Sequence, residues 1–502
     1  MWLWLLACAS KPADPEATTV AIESCDAPQQ WYVDADDDGF GAAGGTPTEA
    51  CEAIAGYAAN DRDCDDDDAG RFPGNDDPCD GVDNNCDGIE DPTESRGFRD
   101  ADGDGAGDIT APLEVCDTVT PAAPNGWDCD DTDPRLPVFV APTTSAGTGT
   151  LAAPFASLDD ALHTDAGCIR VLPGTYRTAV TFRGRDVDVA STDGPEVTVL
   201  EGDADDAVIT IWGGETRATI LSGFTIRNGG GRSTYEEWAD GDDVFGADIR
   251  YGGGVVVTGA SPTLRNLSVV DNHLPDSTRD DSTIPIHLTQ SEGAGLFLED
   301  GSPLVEDVVL ERNRSTYGAA MYVGFDADVT MHRARIAENH AESGVIYVAW
   351  GALTATNLLL DANLSELPYD GLLTFYGTLD LANSTVVDQN VGLTTWGASE
   401  HRVTNSIFYG NDVGVADDGV VESTWLLSHN DVYGNADDST PVADDAPVGA
   451  DPLFVAYIAD GLPNDDITLQ STSPCRDAGD PALTDPDGTR SDVGVTGGPF
   501  AL

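Results

Sequence analysis

The chain has 502 residues and a formal net charge of −67, from 23 Lys and Arg against 90 Asp and Glu. So negative a polymer repels DNA, RNA and anionic lipid surfaces, which excludes nucleic-acid and membrane-surface binding, and it attracts divalent cations. Ten cysteines, seven of them between Cys25 and Cys129, point to an oxidising compartment, and the length allows two domains or more.

Residues 1–8 are apolar and end in Leu5-Leu6-Ala7-Cys8, which resembles the lipobox of a bacterial lipoprotein signal. The resemblance implies lipidation of Cys8. The segment lacks a basic start and a full apolar stretch, so the true start is expected upstream. Residues 9–30, with Pro12, Pro15 and no periodicity, read as a flexible tether. No other run approaches the ~20 apolar residues of a membrane span, so a lipid anchor is the only membrane attachment expected.

Residues 31–135 repeat internally. Asp34-Ala-Asp36-Asp-Asp38-Gly39 recurs as Asp100-Ala-Asp102-Gly-Asp104-Gly105, with Asp108 further on. Cys51 recurs as Cys116, and Asp63-Cys64-Asp65-Asp66-Asp67-Asp68 recurs as Asp128-Cys129-Asp130-Asp131-Thr132-Asp133. Between the copies lies Cys79-Asp-Gly-Val-Asp83-Asn-Asn85-Cys86-Asp87-Gly88. These motifs resemble the MopE-type metal-binding Asp/Cys repeat of bacterial surface lipoproteins, over about a fifth of the chain.

The chemistry agrees with that resemblance. Calcium takes six to eight hard oxygens, and alternating Asp closed by Gly offers three carboxylates on one side of a tight loop. Asp83, Asn85, Asp87, Asp91 and Glu94 fit positions 1, 3, 5, 9 and 12 of an EF-hand loop, with Ile89 offering its carbonyl. The loops from Asp34 and Asp100 lack a twelfth-position ligand, falling on Gly45 and Ala111. Their missing oxygens are expected from the segments holding Asp63, Asp65, Asp66 and Asp68, and Asp128, Asp130, Asp131 and Asp133. Cysteine spacing suggests bridges 51–64, 116–129 and 79–86, although sequence alone leaves the connectivity open. Cys25, Cys168 and Cys475 have no assigned partner.

Residues 136–502 read as a solenoid. Ser157-Leu-Asp-Asp160-Ala161-Leu162 has an N-cap serine and an apolar stripe, predicting a short helix near 157–163 that plugs an open end. Short β-branched runs bounded by Gly, Asn, Asp and Pro then recur, closing at Asn272, Asn313, Asn339, Asn363, Asn390, Asn411 and Asn435. The steps are 41, 26, 24, 27, 21 and 24, the first lengthened by an insertion. Asparagine suits both a left-handed corner and bonding along a stack. The pattern resembles the right-handed parallel β-helix of pectate lyases and bacterial surface proteins. Insertions 229–250 and 273–292 follow Asn228 and Asn272 and should lie side by side. They carry Tyr235, Glu236, Glu237, Trp238, Asp240, Asp242 and Asp243, then Arg279, Asp280, Asp281 and His287. The tail around Cys475 is assigned to the far end.

No lysine lies in the solenoid to serve as a lyase base. Arg333 and Arg335 with His332 and His340, and the acids Asp307, Asp361 and Asp388, are weak catalytic candidates. His273 and His340 read as surface corners. The expectation is a non-enzymatic surface or secreted protein, an outer-membrane lipoprotein or its secreted form. Its calcium-stabilised acidic stalk would display a β-helix for adhesion or glycan binding, with a polysaccharide or cell-surface partner. The alternative is a polysaccharide lyase or glycoside hydrolase working in a cleft between the two insertions.

Overall fold

The computed structural model describes residues 28–75, 82–86, 97–109, 111–113, 122–142, 147–240, 243–274, 286–367, 371–417, 423–458 and 461–501. The chain divides into two compact units, one ending at Gly126 and one running from Trp127 to Leu502.

The first unit holds two small antiparallel sheets of the same plan. Gln29–Val33 lies between Thr48–Ala50 and Tyr57–Ala58, and Gly97–Arg99 lies between Pro112–Leu113 and Ala122–Ala123. Among the described residues of this unit the buried apolar side chains are Ala58, Ala106 and Ala123. Three alanines cannot supply a hydrophobic core, so the described segments of this unit depend on cross-links and polar structure. The expected bridges 51–64 and 79–86 do not form: Cys64 is bonded to Cys86. Phe72 N–H donates to Asn84 O (3.1 Å) and Gly74 N–H to Asn85 O (3.3 Å), which brings the later segment alongside. Cys51 is also disulfide-bonded. The expected 116–129 bridge fails too, because Cys129 is joined to Cys168.

That second bridge, with Arg170 Nε donating to Trp127 O (2.8 Å), explains why the second unit begins at Trp127. From there the chain winds as a right-handed parallel β-helix. Its walls are a nine-stranded sheet, a sixteen-stranded sheet and a six-stranded sheet. Register is kept from coil to coil: Leu264 pairs Val305, Val305 pairs Met331, and Met331 pairs Ala355. Like positions therefore stack into one continuous apolar interior, with Phe182, Phe224 and Phe408 fully buried. The helix Leu158–Leu162 buries Leu158, Ala161 and Leu162 against this interior, and Ser157 Oγ accepts from Asp160 N–H (3.1 Å).

Two columns of left-handed residues turn the corners. One bends the sixteen-stranded wall at Asn266, Asp307, Arg333, Asn357, Asn383, Asn405 and His429, all at φ 45–58°. The other precedes the asparagine ladder, at Asp271, Arg312, Glu338 and Ala362. The ladder residues are thus not the bent ones. They act by bonding: Asn272 Nδ2 donates to Asn313 Oδ1, Asn313 Nδ2 to Asn339 Oδ1, and Asn339 Nδ2 to Asn363 Oδ1, each at 3.0 Å. Two expected members are displaced by one residue. Gln389, not Asn390, takes the rung before Asn411 (3.0 Å), and Gly229, not Asn228, donates to Asn272 Oδ1 (2.9 Å).

The tail departs from expectation as well. Past the last coil it runs back along the outside of the rod. Asp480 N–H donates to Asn405 Oδ1 (2.7 Å), Asn383 Nδ2 to Asp492 O (3.0 Å), and Asn357 Nδ2 to Val495 O and Gly497 O (both 2.7 Å). Phe500 then stacks on His332 at 4.3 Å. Phe454, Leu469, Cys475 and Val493 cover the outward Val387 and Ile407. Cys475 is a free, buried thiol.

Candidate functional site

Each central strand of the acidic unit runs straight into a carboxylate loop. Asp34 N–H is held by Gly56 O (3.0 Å), and the loop bends through Asp37 (φ 68°) and Gly39 (φ 94°). The backbone engages one oxygen of each aspartate. Asp34 Oδ2 accepts from Gly39 N–H (3.2 Å), Asp36 Oδ1 from Asp38 N–H (3.3 Å), and Asp38 Oδ1 from Phe40 N–H (2.8 Å). The second oxygen of each is buried without a hydrogen-bond partner. The three groups bring oxygens within 4.8 Å of one another.

A fourth carboxylate comes from the Asp-Cys-Asp-Asp segment. Ala43 N–H donates to Asp63 O (2.7 Å) and Asp63 N–H to Gly41 O (3.0 Å), seating Asp63 beside the loop at 1% exposure. Its Oδ1 accepts from Asp65 N–H (2.8 Å), while Oδ2 is buried and unbonded. Asp66 Oδ1 accepts from Ala35 N–H (3.0 Å). Gly41 admits nothing larger, because a Cβ there would meet Asn60 O and Tyr32 Cβ at 2.7 Å.

Burial pushes the Asp63 carboxyl up, reinforced by the charges of Asp38, Asp36 and Asp66; Asp36 is raised by burial and then by Asp38. Buried carboxylate oxygens turned on one another cost free energy unless a cation lies between them. The nearby Cys64 and Cys86 sulfurs are bonded to each other and offer no thiolate, so the donor set is hard oxygen. Such a donor set suits a hard divalent cation.

The second copy repeats the loop. Gly103 N–H and Gly105 N–H donate to Asp100 (2.7 and 3.1 Å), Asp104 N–H to Asp102 Oδ1 (3.1 Å), and Ala106 N–H to Asp104 Oδ1 (2.8 Å). Asp100, Asp102 and Asp104 form a second carboxylate group. Asp108 lies 3.7 Å from Arg99.

The remaining expected ligands are placed as follows. Asp65 forms an ion pair with Arg71, and Asp68 Oδ1 accepts from Gly70 N–H (3.1 Å). Asp83 and Asn85 are described, whereas Asp87, Asp91 and Glu94 of the same loop, and Cys8, lie outside the described residues. Asp128, Asp130, Asp131 and Asp133 belong to the second unit. Asp128 Oδ1 accepts from Asp130 N–H (3.0 Å), Asp130 caps Thr132, and Asp133 is paired with Arg135, whose guanidinium holds its carboxyl below the usual range.

On the rod, the two insertions do lie side by side, but as strands. Arg232–Asp240 and Asp243–Tyr251 form a hairpin whose second strand pairs in parallel with Ile286–Glu292. The side chains of Glu236 to Asp243 and of Arg279, Asp280, Asp281 and His287 lie outside the described residues. Beside these strands the six-stranded wall carries a groove of about 500 Å³. Its lining includes His273, Arg314 and His340, which follow three successive ladder asparagines, together with Glu342 and Glu366. The sequence showed these as separate corner residues; only coil register reveals them as one site.

The other candidates serve the framework. Arg333 pairs with Asp307 at 2.5 Å, and Arg335 pairs with Glu311 and donates to Pro463 O (3.0 Å). Asp361, Asp388 and Asp465 meet under the tail with oxygens within 4.8 Å, and Tyr457 Oη donates to Asp388.

No family model and no curated protein matches the sequence. Solved structures are similar in fold. The pectate lyase Pel9A is 15% identical, with TM-score 0.42, covering 71% of this chain and 95% of its own. A pectin methylesterase from carrot is 11% identical, with TM-score 0.33, covering 66% and 86%. XylC in complex with xylose is 13% identical, with TM-score 0.33, covering 60% and 66%.

Proposed function

We propose that the protein is a non-enzymatic, cell-surface or secreted β-helix whose acidic front unit is made rigid by calcium and whose rod binds glycan. The observation that carries the metal half is the group Asp34, Asp36 and Asp38, each with a buried carboxylate oxygen that has no hydrogen-bond donor, with a further such oxygen on Asp63 beside the loop. Calcium, when bound, supplies the positive charge that this oxygen set lacks. A lipid on Cys8 would tether the chain outside the cell, where calcium at ~10⁻³ M keeps such sites loaded. The test is titration calorimetry of Ca²⁺ into the full, oxidised chain. Saturable uptake with Kd on the order of 10⁻⁴–10⁻³ M supports the reading, and no uptake overturns it.

The groove favours a second reading, a lyase or hydrolase acting beside the 229–250 and 273–292 insertions. Incubation with neutral and acidic polysaccharides separates the two. New reducing ends or unsaturated products establish the enzyme, and intact polymer supports the binding protein.

A further inference from the structure

The six-stranded wall carries two outward rows of opposite character. His273 bridges to Arg314, and Arg314 pairs in register with His340. One step along each strand, Ser315 and Ala341 turn inward and are buried, and the next outward positions are Thr316 and Glu342. Glu366 extends that second row, since Ala341 pairs with Ser365 and Glu366 N–H donates to Ala341 O (3.1 Å). The groove is therefore floored by a basic row beside a hydroxyl and carboxylate row, repeating at the strand spacing of ~4.8 Å, and the two rows meet at Glu366, which lies 3.8 Å from Arg314 and 3.4 Å from His340.

From this we infer that the groove is the glycan subsite of the rod, and that its occupant is an uncharged polysaccharide lying along the rod axis. The inference rests on the glycan-binding reading proposed above and locates it. A ribbon of sugar hydroxyls both donates and accepts, so it can lie over this mixed surface, accepting from guanidinium and imidazole N–H groups and donating to the neighbouring carboxylates. A volume of about 500 Å³ suits a short run of sugar rings. Charge decides against uronate or sulfate polymers. Arg314 is already 3.8 Å from Glu366 and His340 Nε2 is 3.4 Å from the same carboxylate, so the row offers little uncompensated positive charge. The whole chain, at −67, repels a polyanion besides.

The experiment is affinity electrophoresis of the full chain through gels containing mixed-linkage β-glucan, arabinoxylan, galactomannan or polygalacturonate. The expected result is retardation by at least one of the three neutral polymers and none by polygalacturonate. The variants Glu366→Gln and Arg314→Gln should weaken that retardation at least tenfold. Both side chains are more than half exposed, and circular dichroism verifies that each variant folds. Retardation that survives both substitutions overturns the groove assignment and leaves the glycan reading intact. Retardation by polygalacturonate alone overturns the uncharged occupant. No retardation in any gel removes both readings together.

Discussion

At the scale of single residues, the proposed cation site gives Asp63 a charge that would cost free energy without a cation and contribute with one. Asp63→Asn keeps the shape and leaves an oxygen to accept from Asp65 N–H, but removes one charge from a buried set. We predict opposite effects in two conditions. With calcium present, affinity falls about tenfold or more, ~1.4 kcal/mol; with EGTA, the variant unfolds at higher urea than wild type. Calorimetry and urea titration check the pair, and the same sign in both would refute the ligand role.

His401 gives a pH prediction inside the rod. It is 2% exposed, its ring lies 4.7 Å from Trp425 at a tilt of 50°, and neither nitrogen is hydrogen-bonded. Burial lowers its pKa to about 4, only partly opposed by Asp417. The unfolded chain, with histidine near 6.5, binds the proton first, so stability is lost as pH falls from about 6.5 toward 4, by up to ~3 kcal/mol. Asp431 works the other way: burial raises it to about 6, so the folded state gains its proton first and stability rises through that window. The difference between wild type and His401→Leu therefore isolates the histidine. Its pH dependence of unfolding should lack the loss between 6.5 and 4; identical curves would show that His401 is not the titrating group.

At the scale of elements, the rod was legible and its seams were not. Alternation and the Gly/Asn period name a parallel β-helix because every coil must bury one face, and that constraint is written locally. The rungs at Gln389 and Gly229 were missed because the structure selects a position, the residue after a left-handed one, rather than an amino-acid type. Disulfides were missed for a related reason. Equal spacings from Cys51 to Cys64 and from Cys116 to Cys129 suggested equal loops, but turns elsewhere set which sulfurs meet. The tail strap depends on contacts between residues more than a hundred apart, as from Asn357 to Val495, for which no local pattern exists.

That strap can be separated from the bend it grips. Asn357 sits at φ 57° and donates to two tail carbonyls. Asn357→Gly keeps the left-handed bend and loses the donors, with an expected cost of ~1–2 kcal/mol concentrated in the tail. Asn357→Ala loses the same bonds and adds ~1–2 kcal/mol of backbone strain in the coil. Hydrogen exchange should show faster exchange over residues 494–501 in both variants, and in the coil strand Ala352–Asp361 only in the alanine variant. Unchanged tail exchange in both would mean that the strap is held elsewhere.

For the whole molecule, the two units draw stability from different sources, and this has a thermal consequence. The rod has a continuous apolar interior in register through its coils, whereas the acidic unit buries three alanines among its described residues and relies on disulfides and carboxylate loops. A ligand that binds only the folded unit stabilises it by RT ln(1 + [L]/Kd), so at a free calcium twenty times Kd each site contributes ~2 kcal/mol. For a unit of about a hundred residues that is a shift on the order of 10 °C. Scanning calorimetry in calcium and then in EGTA should therefore show two transitions, of which only one moves. Salt should soften the shift, because added ions screen the carboxylate repulsion that EGTA exposes. If both transitions moved together, or neither moved, the division of labour between a cation-held front and an apolar rod would be wrong. If the rod's transition alone moved, the carboxylates under the tail at Asp361, Asp388 and Asp465 would be the metal site instead.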